Sequence, residues 1–436
     1  MGEIVSFAKR RGFIYPGSEI YSGLAGTWDY GPLGALFKKS IKDAWWTDVV
    51  ERREDMVGID AAIMMNPRAW EASGHVEAFT DPLIECKICH QRFRADHEGE
   101  IKAHATTHPN KKASWTEPKK FNLLVPAFLG VIEGEKQQIY LRGEITNGAQ
   151  VNFKNILDTT RVKIPFGIAQ IGKAFRNEIT PGNFTFRSRE FEQMETQFYI
   201  RPDNKEADKW FSYWKQDRWD WYVRYGLNPR HLRWHEHRPQ ERAHYAQQAF
   251  DIEYHSPFGW AEFIGIHDRG DWDLKRHQEF SGQDVRYRDP ESGDVFLPWD
   301  IETSAGVDRS LLFFLIEAYH QEDDRLVLKL HPRLAPYKVA VFPLLANKPP
   351  LVKQARDIFH QLQSHFMVAW DDRGNIGKRY YSQDEIGTPF CVTIDFDTLE
   401  GGKRPKGTVT VRERDSMKQT DVAIGELVDY LRERLA

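Results

Sequence analysis

Apolar positions recur along this chain with two spacings, and each change of spacing marks a change of element. Leu36, Phe37, Ser40, Ala44 and Trp45 follow helical spacing behind Pro32. Proline suits a first helical turn, where its missing N–H would be unpaired anyway, so the pattern predicts a helix over about 32–50. Residues 86–120 are rich in His and Lys, break the pattern and read as an insertion. The text is strand-like over 160–200, helical over 204–225, and strand-like again over 249–266, ending in "GWAEFIGI". Beyond about residue 330 the character changes. "KVAVFPLL" reads as a buried strand. The helix after it carries Leu351, Ala355, Ile358, Phe359, Leu362 and Phe366 on one face. "MVAWDD", "PFCVTIDF" and "TVTVRER" follow as strands, and Ile424, Leu427, Val428, Leu431 and Leu435 line a last helix. Alternating strands and helices over this stretch predict a separate α/β domain.

Composition narrows the class. The chain has 436 residues, 41% of them hydrophobic, which predicts a soluble globular protein of two or three domains. No apolar run is long enough to span a membrane, and "MGEIVSFAKRRGFIYPGSEIY" lacks the apolar core of a secretory signal. Three cysteines, an odd number, point to a reducing cytosol and thus a cytoplasmic protein. A net charge of −4 means that any nucleic-acid contact must use local basic patches. Neither GxxxxGK[ST] nor a GxGxxG after a strand occurs, so the two common nucleotide fingerprints are absent.

The stretch "AFRNEITPGNFTFRSREFEQMETQFY" holds the candidate chemistry. It reads as two strands around a Pro-Gly-Asn turn, and residues two apart on a strand share a face. On that reading Arg176 and Glu178 share one face of the first strand, with Phe175 and Asn177 opposite. Arg187, Arg189, Phe191, Gln193, Glu195 and Gln197 share a face of the second. Phe186, Ser188, Glu190, Glu192, Met194, Thr196 and Phe198 lie opposite them. An exposed hairpin with cross-strand ion pairs is the plain alternative. An aromatic ring between arginines, with carboxylates further along, instead suits a ligand with phosphates at one end, a purine in the middle and an ammonium at the other. In "FLPWDIETSAGVDRSLLFFLIEAY" a strand is expected to end at Glu302, with a small-residue turn and a helix from about Val307. A helix start favours anions, and Arg309 in its first turn, alongside Glu302 and Ser304, fits phosphate binding better than a surface ion pair.

"CKICHQRFRADHEGEIKAHATTH" sets Cys86 and Cys89 two residues apart and His104 and His108 on one helical face. Two Cys and two His can close a structural Zn²⁺ site, with Phe93 and Ile101 as its small core. His90 and His97 are rival ligands, and a polar loop with two spare cysteines is the alternative reading.

These residues carry a resemblance. "FRNE" with the loop to "RSREF" is similar to motif 2 of class II aminoacyl-tRNA synthetases. "GVDRSLLFFL" resembles their motif 3, and "GPLGALFKKSIKDAWW" their motif 1 helix. "REFEQME", "TRVKIPFGIAQIGKAFRNEITPGNF", "IETSAG", "RWHEHRPQERAHYAQQAFDIEY" and "GKRYYSQDEIGTPFCVTIDFD" resemble the bacterial dimeric type of glycyl-tRNA synthetase. The resemblance covers nearly the whole chain. It implies an α+β fold, with a class II antiparallel-sheet catalytic domain over 1–330. Residues 86–120 would be a zinc-knuckle-like insertion in it and 200–248 a helical one, followed by an α/β anticodon-binding domain over 331–436. It also implies a homodimer, with the helix after Pro32 contributing, and glycine, ATP with Mg²⁺, and tRNA(Gly) as ligands.

By this resemblance Arg176 and Arg309 are the catalytic cations, Arg176 on the α-phosphate and glycine carboxylate and Arg309 at the γ-phosphate end. The implied ATP site adds Asn177, Glu178, Phe186, Arg187, Ser188, Arg189, Glu190, Phe191, Glu262, Phe263, Gly306, Val307 and Asp308. Phe191 would stack on adenine and Glu178 reach its amino group. The implied glycine site is Arg94, Glu144, Phe191, Glu192, Gln193, Met194, Glu195, Glu302, Thr303, Ser304, Ala305 and Gly306. Glycine has no side chain to grip, so such a site must hold the ammonium and carboxylate and leave no room for a methyl. Many family members have four cysteines in the insertion. The family also usually has Pro-Glu-Thr-Ala-Gln where this chain has Gly143, Glu144, Ile145, Thr146 and Asn147, and proline where Thr303 stands.

"GGKRPKGTVTVRERD" sets Lys403, Arg404, Lys406, Arg412 and Arg414 around a hairpin, a candidate phosphate-contacting patch against a default of solvated surface charge. Two rival functions remain at this level: a synthetase-like RNA-binding accessory protein without catalysis, and a class II ligase for another amino acid. Retention of both Arg176 and Arg309 favours the enzyme.

Overall fold

The computed structural model describes every residue except 109–112, 133, 239–241, 243–245 and 436. Parts of the two expected insertions, and most of "HRPQERAHY", therefore lie outside the described residues.

A seven-stranded sheet organises the larger domain. Its strands are β1 (Met56–Gly58), β2 (Phe166–Phe175), β3 (Glu190–Ile200), β4 (Leu232–Glu236), β5 (Gln248–Ser256), β6 (Gly259–Gly270) and β7 (Trp299–Gly306). They lie in the order β4-β5-β6-β7-β3-β2-β1, antiparallel throughout except for β1 beside β2. The predicted mixed fold with an antiparallel catalytic sheet is the one observed.

Alternation along β3 and β7 divides the sheet into an apolar face and a polar one. Met194, Phe198, Ile200, Ile301 and Ala305 enter the main core. There they meet helix α1 (Pro32–Trp46), helix α2 (Asn204–Arg224) and helix α3 (Val307–Ala318). Helix α1 was expected over 32–50; it is α-helical to Trp46 and continues as a π-turn to Glu51. It buries Leu33, Phe37, Ile41 and Trp45 within the subunit, so its apolar stripe is not free for a second copy. The opposite face of the sheet is covered at one end by the helix Thr146–Thr159, whose Phe153 packs on Phe166 and Tyr199. The helix Trp272–Ser281 adds Leu274 to that cover, and a cleft opens on the same face beside it.

Two departures from the sequence pattern shape the open face. β7 does not stop at Glu302 but runs on to Gly306, so Ser304 is a strand residue paired opposite Glu195. Between β5 and β6 the register slips at Phe263: Ile252 lies opposite Ile264, and Glu253 opposite Glu262. Such a bulge re-aims the chain locally. It lets Phe263 pack on Tyr222 and Phe313 while Glu262 stays exposed at the cleft.

A second core begins at Val339. Its five strands run in the order Val368–Trp370, Val339–Pro343, Phe390–Ile394, Thr408–Glu413 and Gln419–Ala423. The first three are parallel and the last two antiparallel. Pro349–Gln363 and Leu427–Leu435 supply the helical stripes read from the sequence.

Candidate active site

The polar face opens into a cleft of about 410 Å³. β2 ends at Phe175, and the Arg176 N–H donates to the Arg189 carbonyl at 2.8 Å. Residues 176–189 therefore form a loop with one short turn at Phe184–Phe186, not two facing strands. Strict alternation fails there for that reason. Phe186, Arg187 and Ser188 line the cleft together, although parity put Phe186 and Ser188 on the other side. Arg189 turns away to the carbonyls of Ala25 and Glu178. Asn177 does not line the cleft, and its N–H donates to the Leu123 carbonyl. Glu190 is exposed and pairs with Lys173.

One end of the cleft is cationic. Arg176 donates through Nε to the Gly143 carbonyl at 3.0 Å and lies over the rings of Phe79 and Phe191. Arg309 donates through Nε to the Phe186 carbonyl at 3.0 Å, through Nη1 to the Glu262 carbonyl at 3.0 Å, and covers the Phe186 ring. Burial lowers the pKa of Arg309, Glu262 opposes that, and the guanidiniums of Arg176 and Arg187 lower it further. Three mutually repelling cations make this end a site for anions. Glu178 is buried at the same end, and its Oε2 has no hydrogen-bond partner among the described residues. A buried acceptor in that state is suited to a donor from a ligand.

The other end is acidic. Glu195 on β3 and Glu302 on β7 are both buried and share the hydroxyl of Thr146, at 2.9 and 3.0 Å. Ser304 donates to Glu195 at 2.7 Å and Gln193 at 2.9 Å. Burial, and then the charges of Glu302 and Glu144, push the Glu195 carboxyl up to about 8. Burial works on Glu302 in the same sense. Arg269 at 3.0 Å and His267 at 2.8 Å outweigh it and hold Glu302 well below the usual carboxylate range. For Glu144 burial is likewise the largest influence, but His75 at 3.1 Å and then Arg269 bring its carboxyl down to about 2. Arg94 lines the cleft between Asp81 and Asp96, at 2.9 and 2.7 Å.

Several residues implied for the glycine and ATP sites have side chains on the far side of the sheet. Glu192 pairs with Lys38 and Lys42, Met194 and Ala305 are in the main core, and the Thr303 hydroxyl meets that of Thr196 at 2.7 Å. Val307 is core as well. Their parity along β3 and β7 follows from Glu195 and Glu302 facing the cleft. Asp308 and Gly306 border the cleft, with Asp308 held from behind by Lys38 at 2.7 Å.

Over 464 residues the chain is 48% identical to a glycine–tRNA ligase of Alkaliphilus oremlandii (strain OhILAs), covering 100% of this chain and 98% of the relative. It is 49% identical to one of Geobacillus kaustophilus (strain HTA426) over 100% and 99% of the two chains. It is 48% identical to one of Treponema denticola over 99% and 96%. The chain belongs to the glycine–tRNA ligase family. The anticodon binding domain family matches residues 338–434, the unit built on the second core.

The basic residues expected to form a C-terminal RNA-contacting patch do not all lie on the surface. Arg412 and Arg414 are buried, not presented to RNA. Arg412 makes a two-pronged pair with Asp384, at 2.8 Å to each oxygen, and Asp384 also takes Arg325. Arg414 donates to the carbonyls of Gly387 and Leu330. Arg404 is tied to Asp395 and Asp421. Of the five, Lys403 and Lys406 are the exposed ones. Both faces of the strand Thr408–Glu413 are buried over 408–412, so Arg412, opposite the core residues Val409 and Val411, is buried too, and no spacing signal separates a buried arginine from a surface one.

Cys86, Cys89, His104 and His108 bring one ligand atom each to within 4.8 Å of the others. His90 instead pairs with Glu85 at 2.8 Å and His97 with Glu100 at 3.1 Å. Phe93 is buried and packs at a tilt against His104, whereas Ile101 is half-buried. Sequence reasoning missed Thr146, His267 and Asp81 in the cleft. The alternation of Gly265, His267 and Arg269 along β6 was the available signal for His267. Thr146 had none, because only folding brings it to Glu195.

Proposed function

We propose that this chain activates glycine with ATP and transfers the glycyl group to the 3′ end of tRNA(Gly). The observation carrying this reading is one cleft with Arg176, Arg187 and Arg309 at one end and Glu144, Glu195 and Glu302 at the other. In the first step a glycine carboxylate oxygen forms a bond to the α-phosphorus while the bond to the β-phosphate oxygen breaks. Pyrophosphate leaves and glycyl-adenylate remains. In the second, a ribose hydroxyl oxygen of the tRNA attacks the glycyl carbonyl, the bond from that carbon to the phosphate oxygen breaks, AMP leaves with the bonding pair, and the hydroxyl proton passes to solvent. Neither step needs a protein nucleophile; fixed cations and held reactants lower the barrier.

Arg176, pinned by the Gly143 carbonyl, is placed to bridge the carboxylate and the α-phosphate as charge builds between them. Arg309 meets the outer phosphates. Adenine stacks on Phe191, with the unpaired Glu178 oxygen as acceptor for its amino group. The ammonium goes to Glu144, Glu195, Glu302 and Ser304. Mg²⁺ accompanies ATP as a neutraliser of phosphate charge. The exposed Glu262 carboxylate beside Arg309 fits as its protein ligand. Zn²⁺ fits the Cys86–Cys89–His104–His108 cluster, where it would close the insertion structurally.

The reading extends to a homodimer working in the cytoplasm. An odd number of cysteines, two of them in the Cys/His cluster, suits a reducing compartment better than a disulfide framework. Ile20, Tyr21 and Leu24, exposed at 88%, 81% and 59%, offer a second copy the apolar surface that helix α1 does not. ATP–pyrophosphate exchange across a panel of amino acids tests the function. Exchange with glycine alone is expected. Exchange with none, or with another amino acid, would replace this reading with one of its rivals.

A further inference from the structure

The floor of the acidic end contains a hydrogen-bond count that does not close with two ionised carboxylates. Thr146 Oγ1 lies 2.9 Å from Glu195 Oε2 and 3.0 Å from Glu302 Oε2. A hydroxyl has one proton to donate. If both carboxylates were charged, one of these contacts would set lone pair against lone pair in a buried site. One added proton resolves it, and the surrounding donors decide where it sits. Glu302 already receives His267 on Oε1, and Arg269 and Gln197 on Oε2. Glu195 receives Gln193 and Ser304 on Oε1 only, leaving Oε2 to Thr146 alone. The proton therefore belongs on Glu195 Oε2, which donates to Thr146, which donates to Glu302.

We propose that Thr146 is a positioning residue that relays a hydrogen bond from a neutral Glu195 to Glu302, so that the empty pocket stores one proton and releases it when glycine's ammonium arrives. This rests on the glycine-binding reading above. The charged and titratable groups facing Glu195 are Glu302 from β7, Glu144 and Arg142 from the segment before Thr146, and, through Glu302, Arg269 and His267 from β6. Their balance agrees with the count, since burial and the two neighbouring carboxylates favour a neutral Glu195. The step balances: the Glu195 O–H bond breaks, its proton goes to solvent, and the carboxylate pairs with the incoming ammonium.

The test is calorimetry of glycine binding to the full chain at pH ~6.5 in buffers of different ionisation enthalpy, with the pH profile of the glycine KM beside it. About one proton released per glycine is expected, and a KM that falls about tenfold per pH unit up to a midpoint near 8. In Thr146→Val the neutral carboxyl loses its acceptor, so the midpoint of the KM profile moves to lower pH, and Thr146→Ser restores the original profile. No proton release, or a midpoint that stays or rises in Thr146→Val, overturns the relay. Should Thr146→Val not fold, the proton count on the unaltered chain decides alone. Glycine-dependent exchange without proton release would sink the relay and leave the function standing. Absence of glycine-dependent exchange at every pH would sink the function.

Discussion

The Lys38 ammonium lies 2.7 Å from Asp308 and 2.9 Å from Glu192, buried directly behind the helix start that carries Arg309. The Glu192 N–H and the Tyr30 hydroxyl close on the same Asp308 carboxylate. A cation from helix α1 thus joins β3 to helix α3 beneath the phosphate end of the cleft. Lys38→Met removes the buried cation that the two carboxylates share, leaving Asp308 to neutral donors and Glu192 to Lys42, and is expected to cost about 3–5 kcal/mol, measured by urea unfolding. Wild-type stability in that variant would show that the cluster does not hold the helix start.

Arg176 and Arg309 have different anchors but face the same space. Arg176→Ala and Arg309→Ala are each expected to lower glycine-dependent pyrophosphate exchange by about 10²–10³ with little change in unfolding midpoint. Loss of fold in step with activity would instead mark them as structural.

Glu195 has a pH signature of its own. Its carboxyl is raised to about 8 in the fold, so the native state holds a proton that the unfolded chain releases near the ordinary glutamate value. Native stability is favoured at low pH and falls as pH rises toward about 8. Glu195→Gln removes that loss. Without glycine, its melting temperature should exceed that of the unaltered protein at pH ~8 and approach it at pH ~5. A difference independent of pH would contradict the placement of the proton.

The insertion should carry one zinc. Cys86→Ser and Cys89→Ser are expected to lose it, whereas His90→Ala and His97→Ala keep it, because those histidines pair with Glu85 and Glu100. Elemental analysis of the purified protein checks this. Unchanged metal in the cysteine variants rejects the site.

In the C-terminal domain the buried and exposed cations should separate cleanly. Arg412→Ala strands Asp384 beside Arg325 and is expected to destabilise by about 3 kcal/mol or more. Lys403→Ala with Lys406→Ala should leave unfolding unchanged and flatten the salt dependence of tRNA binding by about one to two in log–log slope. An unchanged slope would place the RNA contact elsewhere.

Local order and periodicity alone determined much of this protein: the helix after Pro32, the strands around "GKAF" and "EFEQMETQFYI", the apolar stripes of the last domain, and the Cys/His spacing. These are legible because a period of two or 3.6 residues, or a ligand spacing, is written within a few residues. Alternation even gave the correct partners on β3, where Gln193 and Glu195 face the cleft together. It failed over 176–189 because a loop has no period, and it ran out at Glu302 because small residues that resemble a turn are here the end of a strand.

Tertiary structure decided the rest. Only folding seats Thr146 between two carboxylates from different strands, sets His267 and Arg269 against Glu302, and places Lys38 beneath Asp308. It alone decides that Arg412 is a buried brace while Lys403 is exposed. Charge state and burial depend on neighbours hundreds of residues away in sequence, and the distance across a folded sheet appears in no local pattern.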